Sequence, residues 1–316
     1  KVPQSVMKSV VDSAINMKTN SGTGRSPVPW RKLGIKYANN EIFFDFIESM
    51  TCIVDVNGLS TLCEVNGTIH ANCKLSGMPD LLLQFKDPSI IDDASFHPCV
   101  RYARYEQDRA ISFVPPDGEF DLMHYRITSI PMSPIYCRPQ LSFSDDGTRG
   151  NINIMLGLRH TMGKPLEEVR IDIPLPGLES QTLNVSQGHV FYDAKNRILR
   201  WVVGKMSPND KTSNPSISGH LTLPAPKKIS DSITTIGGTG ADEESSVGAT
   251  GGSTGGGEVD KISRNGPSAV SVHFKLNTVP LSGIKVESVQ LKSEKYKPYK
   301  GVRYWTTSGN FEVRTN

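Results

Sequence analysis

One carboxylate in the sequence occupies a position that ordinary packing does not explain. Asp45 interrupts the apolar run Ile42-Phe-Phe-Asp-Phe-Ile47. In a strand, neighbouring side chains face opposite ways, so this segment can line two surfaces. A carboxylate among such neighbours needs a partner or a function, because burying an unpaired charge is costly. The pattern therefore indicates that Asp45 is a candidate binding residue.

The other reactive side chains show no spacing typical of catalysis or metal binding. No HExxH or CxxC pattern occurs, and Asp92-Asp93 and Asp145-Asp146 have the neighbours of turns and caps. We therefore predict no enzymatic activity, cofactor or metal, although a triad assembled in space is left open. The residues considered are seven histidines and five cysteines, the latter interpreted as reduced thiols: His70, His97, His124, His160, His189, His220, His273, Cys52, Cys63, Cys73, Cys99 and Cys137.

The overall composition is that of a soluble protein rich in turns. Thirty-five Lys and Arg against 32 Asp and Glu give a net charge of +3, too small to indicate a nucleic-acid partner. The 28 glycines and 21 prolines indicate many turns. No stretch approaches the roughly 20 apolar residues of a membrane span, and no signal-peptide pattern is present. The composition predicts a cytosolic protein.

Asp45 belongs to a series of predicted strands. Four runs rich in β-branched and aromatic residues open the series, and Asn57-Gly58 and Asn66-Gly67 separate the last three of them. Asn-Gly between alternating apolar runs is a strong hairpin signal, because both central turn residues need positive φ. We therefore predict a four-stranded β-meander at 41–47, 50–56, 59–65 and 68–75.

More strands are predicted at regular spacing, and no convincing long helix follows residue 30. Their number predicts an all-β fold of two packed sandwiches. The predicted strands are 80–85, 110–114, 123–130, 140–144, 151–158, 169–175, 197–203, 219–223, 270–276, 283–291, 302–305 and 310–314.

Two segments have the composition of linkers. Residues 1–29 combine one weak helical run, 5–17, with a polar stretch, and we interpret them as a linker from a preceding domain. Residues 230–266 consist largely of Gly, Ser, Thr and acidic residues, with too few apolar groups to offset the entropy of ordering. We predict a disordered loop there, because the run Gly237-Gly-Thr-Gly-Ala lacks the strand-to-helix context of a phosphate-binding loop.

Six motifs follow one another from about residue 28 onward: Val28-Pro-Trp-Arg-Lys-Leu-Gly-Ile-Lys-Tyr-Ala-Asn-Asn-Glu-Ile-Phe-Phe-Asp45, Leu75-Ser-Gly-Met-Pro-Asp80, Phe96-His-Pro-Cys99, Ile111-Ser-Phe-Val-Pro-Pro-Asp-Gly118, Met162-Gly-Lys164 and Glu294-Lys-Tyr-Lys-Pro-Tyr-Lys-Gly-Val-Arg-Tyr304. This series resembles the mu-homology domain of clathrin-adaptor medium chains, in the family's order. The third and sixth motifs look most like the medium chain of adaptor protein complex 3.

The resemblance implies an elongated, all-β, two-subdomain β-sandwich with subdomain B inserted into subdomain A. Subdomain A would comprise residues 30–133 and 281–316 and carry the signal-binding site. Subdomain B would comprise residues 134–280. Residues 1–29 would be the linker from a longin-like domain that is absent from this chain.

The resemblance also implies binding of cargo peptides of the form Tyr-x-x-Φ, where Φ is a bulky apolar residue. Such peptides would bind in extended form by strand addition. Phe43, Asp45 and Arg303 match the family's tyrosine pocket. Phe43 would pack against the tyrosine ring, Asp45 would accept a hydrogen bond from its hydroxyl, and Arg303 would hold Asp45 in place.

Five apolar positions match the family's pocket for Φ: Ile42, Phe44, Val286, Val289 and Val302. Full burial of a bulky Φ side chain there would contribute about 1.5–3 kcal/mol. Without the resemblance, Ile42, Val286 and Val289 would be interpreted as ordinary sandwich core.

Two positions differ from the endocytic member of the family. Asn72 stands where that member has a lysine in the tyrosine pocket, and Gly301 stands where it has a tryptophan against the peptide. Asparagine still donates a hydrogen bond but carries no charge, and glycine removes a stacking wall. We therefore expect a site of altered preference, with micromolar affinity at best.

The implied partners are the large and small subunits of an adaptor heterotetramer. The implied place is the cytoplasmic side of Golgi and endosomal membranes, in transport to lysosomes or vacuoles. An anionic membrane surface is a further expected partner of Lys292, Lys295, Lys297 and Lys300, although a solvated strand face explains these lysines equally well. Two alternatives stay open: a mu-homology domain of another adaptor or endocytic-organiser type that binds different peptides, and a β-sandwich hydrolase.

Overall fold

The structure, a computed structural model, describes residues 26–130, 132–210, 214–225 and 266–315. The predicted helical run at 5–17 and almost all of the predicted segments 1–29 and 230–266 lie outside these residues. The one α-helix in the described ranges, α1 (Tyr102–Asp108), has 7 residues. No helix in these ranges is long and apolar enough to cross a membrane. Strands make up most of the described chain, and the predicted all-β class is confirmed.

Sixteen strands occur in the described ranges, together with α1 and a 3-10 helix at Pro88–Ile90. The strands are β1 (Glu41–Val54), β2 (Ser60–Lys74), β3 (Leu81–Phe85), β4 (Asp93–Phe96), β5 (Ile111–Phe113), β6 (Gly118–Ile127), β7 (Ile135–Phe143), β8 (Arg149–Leu158), β9 (Leu166–Pro174), β10 (Ser180–Val185), β11 (His189–Asp193), β12 (Ile198–Met206), β13 (Ser216–Thr222), β14 (Ala269–Asn277), β15 (Val286–Leu291) and β16 (Tyr299–Arg314).

The strands form three sheets. The large sheet has the order β11-β12-β9-β14-β16-β1-β2-β6-β4, and the others are β10-β13-β8-β7 and β15-β3-β5. Strand β1 lies parallel to β16 and antiparallel to β2. On its inner face, Phe44 meets Phe113 of β5 at 6.5 Å and Phe46 meets Phe85 of β3 at 6.3 Å between ring centroids. The three-stranded sheet therefore covers the inner face of β1, and the odd-numbered residues from Phe43 to Ile47 lie on the outer face.

The opening of the fold is a two-stranded hairpin, not the predicted four-stranded meander. The turn at Asn57-Gly58 is present, with φ of +83° at Gly58 and a hydrogen bond of 2.8 Å from the amide of Asp55 to the carbonyl of Leu59. The turn predicted at Asn66-Gly67 is wrong, because both residues pair within β2. A Cβ at Gly67 would lie 2.1 Å from Cζ of Tyr125. Gly67 therefore makes room for a buried ring and does not form a turn.

Replacing Gly67 by alanine should destabilise the protein by about 1–3 kcal/mol, because the new methyl group forces the buried ring of Tyr125 to move. Urea unfolding measures the change. Asn66→Ala is the matched control, because Asn66 is its exposed neighbour on the same strand. Equal unfolding midpoints for the two variants would contradict this account of Gly67.

A second break that was predicted between two strands is also absent, because one continuous strand runs through it. The runs predicted at 302–305 and 310–314 belong together to β16, a strand of 16 residues. The pairing of β1 with β16 changes register between Met50 and Cys52, opposite Ser308 and Phe311. The polar Ser308-Gly-Asn310 sequence therefore forms an irregularity within the strand instead of a turn.

A buried carboxylate joins four parts of the large sheet and its connections. Glu48 is 1% exposed and accepts hydrogen bonds from the hydroxyl of Tyr125 at 3.0 Å, the hydroxyl of Thr306 at 2.8 Å and the amide of Leu281 at 2.8 Å. The amide and hydroxyl of Ser282 also donate to it. Burial and the adjacent carboxylate raise the pKa of Tyr125, which keeps its hydroxyl a donor. Glu48 thereby fixes the segment before β15 to β1, β6 and β16.

A buried guanidinium fixes the segment before β1. Arg31 is 2% exposed. Its Nε donates to the carbonyl of Gly77 at 2.9 Å and its Nη1 to that of Pro115 at 3.3 Å, while Nη2 donates to the carbonyl of Leu75. The nearest carboxylate, Asp117, lies 3.9 Å away. Backbone carbonyls from the end of β2 and the loop before β6 therefore satisfy most of this buried charge.

Candidate functional site

The candidate tyrosine pocket lies on the outer face, where β1 and β16 run side by side. Asp45 pairs with Arg303 across the two strands. The Nε of Arg303 lies 2.7 Å from Oδ1 of Asp45, and Nη2 lies 2.5 Å from Oδ2. This hydrogen bonding raises the pKa of Arg303 above its usual value. The side chain of Arg303 is 55% exposed and that of Asp45 15%, so solvent reaches the pair from the arginine side.

Aromatic rings lie on both sides of Arg303. Its guanidinium carbon lies 5.6 Å from the ring centroid of Phe43 and 5.1 Å from that of Trp305. Stacking between two rings holds the planar guanidinium in one orientation. Trp305 was not among the predicted site residues. The period of two could have identified it, because Trp305 is two positions from Arg303 on the same strand face.

The predicted residue Asn72 lies beside Phe43, its cross-strand partner on β2. Its side-chain amide donates to Glu119 at 2.9 Å. One row further, His70 is opposite Asp45, and its Nδ1 lies 2.8 Å from Oδ1 of Asp121. The structure therefore brings Phe43, Asp45, Arg303 and Asn72 together on one face.

The residues predicted for the Φ pocket divide into two groups. Ile42 and Phe44 are fully buried on the inner face of β1, within the core. Val286, Val289 and Val302 are half-buried and pack against that core. Lys300 Nζ donates to the carbonyl of Val289 at 2.5 Å, and the amide of Val286 donates to the hydroxyl oxygen of Tyr304 at 3.1 Å. These contacts lie on either side of Val302 and link β15 to β16.

An open strand edge lies between the residues of the tyrosine pocket and the three valines of the predicted Φ pocket. Residues 299–303 of β16 pair with β1 on one side, whereas β14 pairs with β16 only from Trp305 onward. In the part of the chain that the structure describes, no strand pairs with the other edge of residues 299–303. Backbone groups on such an edge are a template for an added strand.

The predicted basic run is exposed, but its members are not equivalent. Lys292, Lys295 and Lys297 lie in the β15–β16 connection, and Lys300 reaches from β16 to the carbonyl of Val289. The hydroxyl of Tyr296 donates to the carbonyl of Ser76 at 2.7 Å and fixes this connection. Burial raises the pKa of the Tyr296 hydroxyl to about 12. The first three lysines surround a fixed loop and are accessible to solvent.

The described residues show no arrangement typical of a metal site, because no three His, Cys, Asp or Glu side chains converge on one point in them. The five cysteines are free thiols; Cys63 is half-buried and the others are buried. Of two cavities with volumes of about 440 and 220 Å³, neither includes Asp45, Arg303 or the valines of β15.

Comparisons with known proteins agree with this fold. Residues 28–315 match the adaptor complexes medium subunit family. The chain is 36% identical to AP-3 complex subunit mu-2 of Rattus norvegicus over 99% of this chain and 68% of that protein. It is also 36% identical to AP-3 complex subunit mu-1 of Homo sapiens, with the same coverage.

Solved structures show the same architecture at low sequence identity. The yeast delta-COP-I mu-homology domain has a TM-score of 0.59 and 14% identity, covering 88% of this chain and 100% of that one. The Fcho1 mu-homology domain of Danio rerio has a TM-score of 0.53 and 12% identity, covering 87% and 97%. The predicted mu-homology fold and the similarity to complex 3 medium chains are confirmed. The chain therefore belongs to the adaptor complexes medium subunit family.

Proposed function

We propose that this chain binds Tyr-x-x-Φ peptides in extended form along the open edge of β16. Membership of the medium subunit family supports a role in an adaptor complex. The observation that carries the finer proposal is the free edge at residues 299–303, with an aromatic and charged pocket on one face and half-buried valines on the other. An added strand there gains main-chain hydrogen bonds, and the two pockets supply specificity.

The spacing of the signal fits these two pockets. In an extended peptide, residues three positions apart face opposite sides of the strand. A tyrosine on the outer face would contact Phe43, Asp45 and Arg303, and Φ would then point to the inner face, toward Val302 and the valines of β15. Because β14 occupies the edge from Trp305 onward, the peptide must run from Arg303 toward Tyr299. It therefore lies antiparallel to β16.

Asp45 gives the site its selectivity for tyrosine. Arg303 already holds the carboxylate of Asp45 in place, and a tyrosine hydroxyl adds a hydrogen bond to it. A phenylalanine in the peptide would exclude water from the carboxylate without replacing that bond, at a cost of about 1–3 kcal/mol. A phosphotyrosine would place its charge against Asp45 and should be rejected.

The wider biological role follows from the family. We propose that the large and small subunits of an adaptor heterotetramer are partners of this chain, as the names of the AP-3 relatives imply for those proteins. Its place would be the cytoplasmic side of Golgi and endosomal membranes, on vesicles bound for lysosomes or vacuoles. Lys292, Lys295 and Lys297 would each contribute about 1 kcal/mol toward an anionic leaflet. Micromolar peptide affinity then suffices, because membrane and subunit contacts act together.

Titration calorimetry with a Tyr-x-x-Φ peptide tests the proposed site. Asp45→Ala should weaken binding about tenfold to a hundredfold, because the tyrosine hydroxyl loses its acceptor and Arg303 its partner. Asp121→Ala is the matched control: Asp121 lies on the same face and pairs with His70, but outside the pocket. Replacing the peptide tyrosine by alanine should abolish measurable binding. Equal affinities for wild type and Asp45→Ala would rule out the site.

A second candidate is binding of a different class of peptide on the same fold. Two solved neighbours carry other ligands, an Eps15 peptide on Fcho1 and a Dsl1 WxWxV peptide on delta-COP-I. Asn72 and Gly301 also give this chain a pocket that differs from that of the endocytic medium chain. Tight binding of such a peptide, together with no dependence on a signal tyrosine, would favour this candidate.

A further inference from the structure

The β1–β2 hairpin holds two thiols opposite each other close to its turn. Cys52 of β1 and Cys63 of β2 are direct cross-strand partners, and we call them the cysteine pair. Partners in an antiparallel ladder point to the same face of the sheet, with Cα atoms about 4.5–5.5 Å apart. A disulfide bridges Cα atoms that lie about 4.4–6.8 Å apart. The folded hairpin therefore already places the cysteine pair at a distance that a disulfide can span.

The cysteine pair lies between the core and the solvent. Cys52 is buried, whereas Cys63 is half-buried. Residues 56–62, which connect the two cysteines through the turn, are all exposed. The Sγ of Cys52 lies 4.0 Å from the Oγ of Ser60, one of these exposed residues. A molecule as small as a peroxide therefore has only the turn to pass before it reaches the cysteine pair.

The five thiols of the chain differ in acidity. Hydrogen bonding with Cys63 lowers the pKa of Cys52 below its usual value. The same interaction raises the pKa of Cys63, which stays protonated as the donor. Burial raises the pKa of Cys73 to about 11 and that of Cys99 to about 12, and it also raises the pKa of Cys137. Because the thiolate is the reactive form of cysteine, Cys52 is the best nucleophile of the five.

We propose that Cys52 and Cys63 are a modification site, at which hydrogen peroxide produces a reversible cross-strand disulfide. The thiolate sulfur of Cys52 attacks one peroxide oxygen, the O–O bond breaks, and the hydroxide released takes up a proton and becomes water. The sulfur of Cys63 then attacks the sulfenic acid formed on Cys52 and displaces its hydroxyl group, which leaves with the thiol proton as a second water. The two thiols lose two electrons, and the peroxide gains them.

The bridge would stabilise the hairpin without changing the peptide site. Cys52 belongs to the core, whereas Asp45 lies on the outer face of the same strand. The disulfide would close a loop of about ten residues and restrict the unfolded chain. The oxidised protein should therefore melt at a higher temperature than the reduced protein. This inference does not depend on the proposed function.

The test treats the folded chain with hydrogen peroxide, removes the peroxide and alkylates the free thiols after unfolding in acid. The number of alkylated thiols should fall from five to three, and dithiothreitol should restore all five. Cleavage before Asp55 and after Glu64 places Cys52, Cys63 and Cys73 on separate fragments. The fragments of Cys52 and Cys63 should stay joined until they are reduced. The melting temperature of the oxidised chain should rise by about 3–8 °C.

Two variants make the result specific. Cys63→Ala should give no joined fragments and no rise in melting temperature on oxidation. Cys137→Ala is the matched control, because it removes a buried thiol outside the cysteine pair; its Cys52 and Cys63 fragments should still be joined. Five free thiols after treatment of the wild type, a bond from either cysteine to Cys73 or to a second chain, or the same rise in melting temperature in Cys63→Ala would overturn the proposal.

Discussion

Replacing Glu48 by alanine should lower the free energy of unfolding by about 3–5 kcal/mol, the largest effect that we expect from a single substitution. The carboxylate accepts hydrogen bonds from Tyr125, Thr306, Leu281 and Ser282 in a fully buried position. Without it, several buried donors lose their acceptor, and each lost bond costs about 1–3 kcal/mol. Urea unfolding followed by tryptophan fluorescence measures the change.

Two further variants make this result specific. Glu48→Gln should be intermediate, because an amide oxygen still accepts hydrogen bonds while its amino group faces the donors. Glu41→Ala removes a carboxylate from the same strand, but one that is partly exposed and paired with Lys74; we expect a change of at most about 1 kcal/mol. If Glu48→Ala unfolds at the same urea concentration as Glu41→Ala, the buried network has no special importance.

The second large effect should come from Arg31. Arg31→Ala leaves the carbonyls of Leu75, Gly77 and Pro115 without their donor and opens a cavity, which should destabilise the protein by about 2–4 kcal/mol. Arg31→Lys should recover less than half of that loss, because an ammonium group cannot reach three carbonyls as the planar guanidinium does. Thermal unfolding of both variants gives the comparison.

Lys32→Ala is the control for Arg31, because it removes a neighbouring but exposed positive charge. Its melting temperature should be close to that of the wild type. A melting temperature of Arg31→Lys equal to that of the wild type would show that charge alone, and not the shape of the guanidinium, satisfies the carbonyls.

Alternation of apolar residues predicted most strands, because the buried faces of β1, β8 and β9 are continuous rows of large side chains. Three strands that were not predicted, β4, β10 and β11, lie at sheet edges and contain no fully buried residue. A strand without a buried face has little apolar periodicity. The turn signal at Asn66-Gly67 failed for another reason. A glycine is required at position 67 because the ring of Tyr125 on a neighbouring strand packs against it, and the local sequence does not reveal that contact.

The candidate site was predictable only in part. The surroundings of Asp45 indicated that it needs a partner, but that partner, Arg303, lies 258 residues away. Only the family resemblance identified the pair. Burial could not be predicted residue by residue either: Ile42 and Phe44 are fully buried, whereas Val302 is half-buried. The ring of Phe43 covers the backbone of Gly301, where an added Cβ would lie 2.4 Å from Cδ1 of Phe43, and a linear motif does not show that relationship.

The parallel pairing of β1 with β16 has a consequence for the time at which this protein can fold. The two strands meet across 258 residues, and a ribosome adds about 5–20 residues per second, so β1 waits roughly 13 to 50 seconds for its neighbour. During that time one edge of β1 is unpaired, with Phe44 and Phe46 beside it. Contacts so distant in sequence also make folding intrinsically slow. The β1–β2 hairpin can form early, because its strands are adjacent in sequence, but the edge of β1 that faces β16 stays unpaired until β16 emerges.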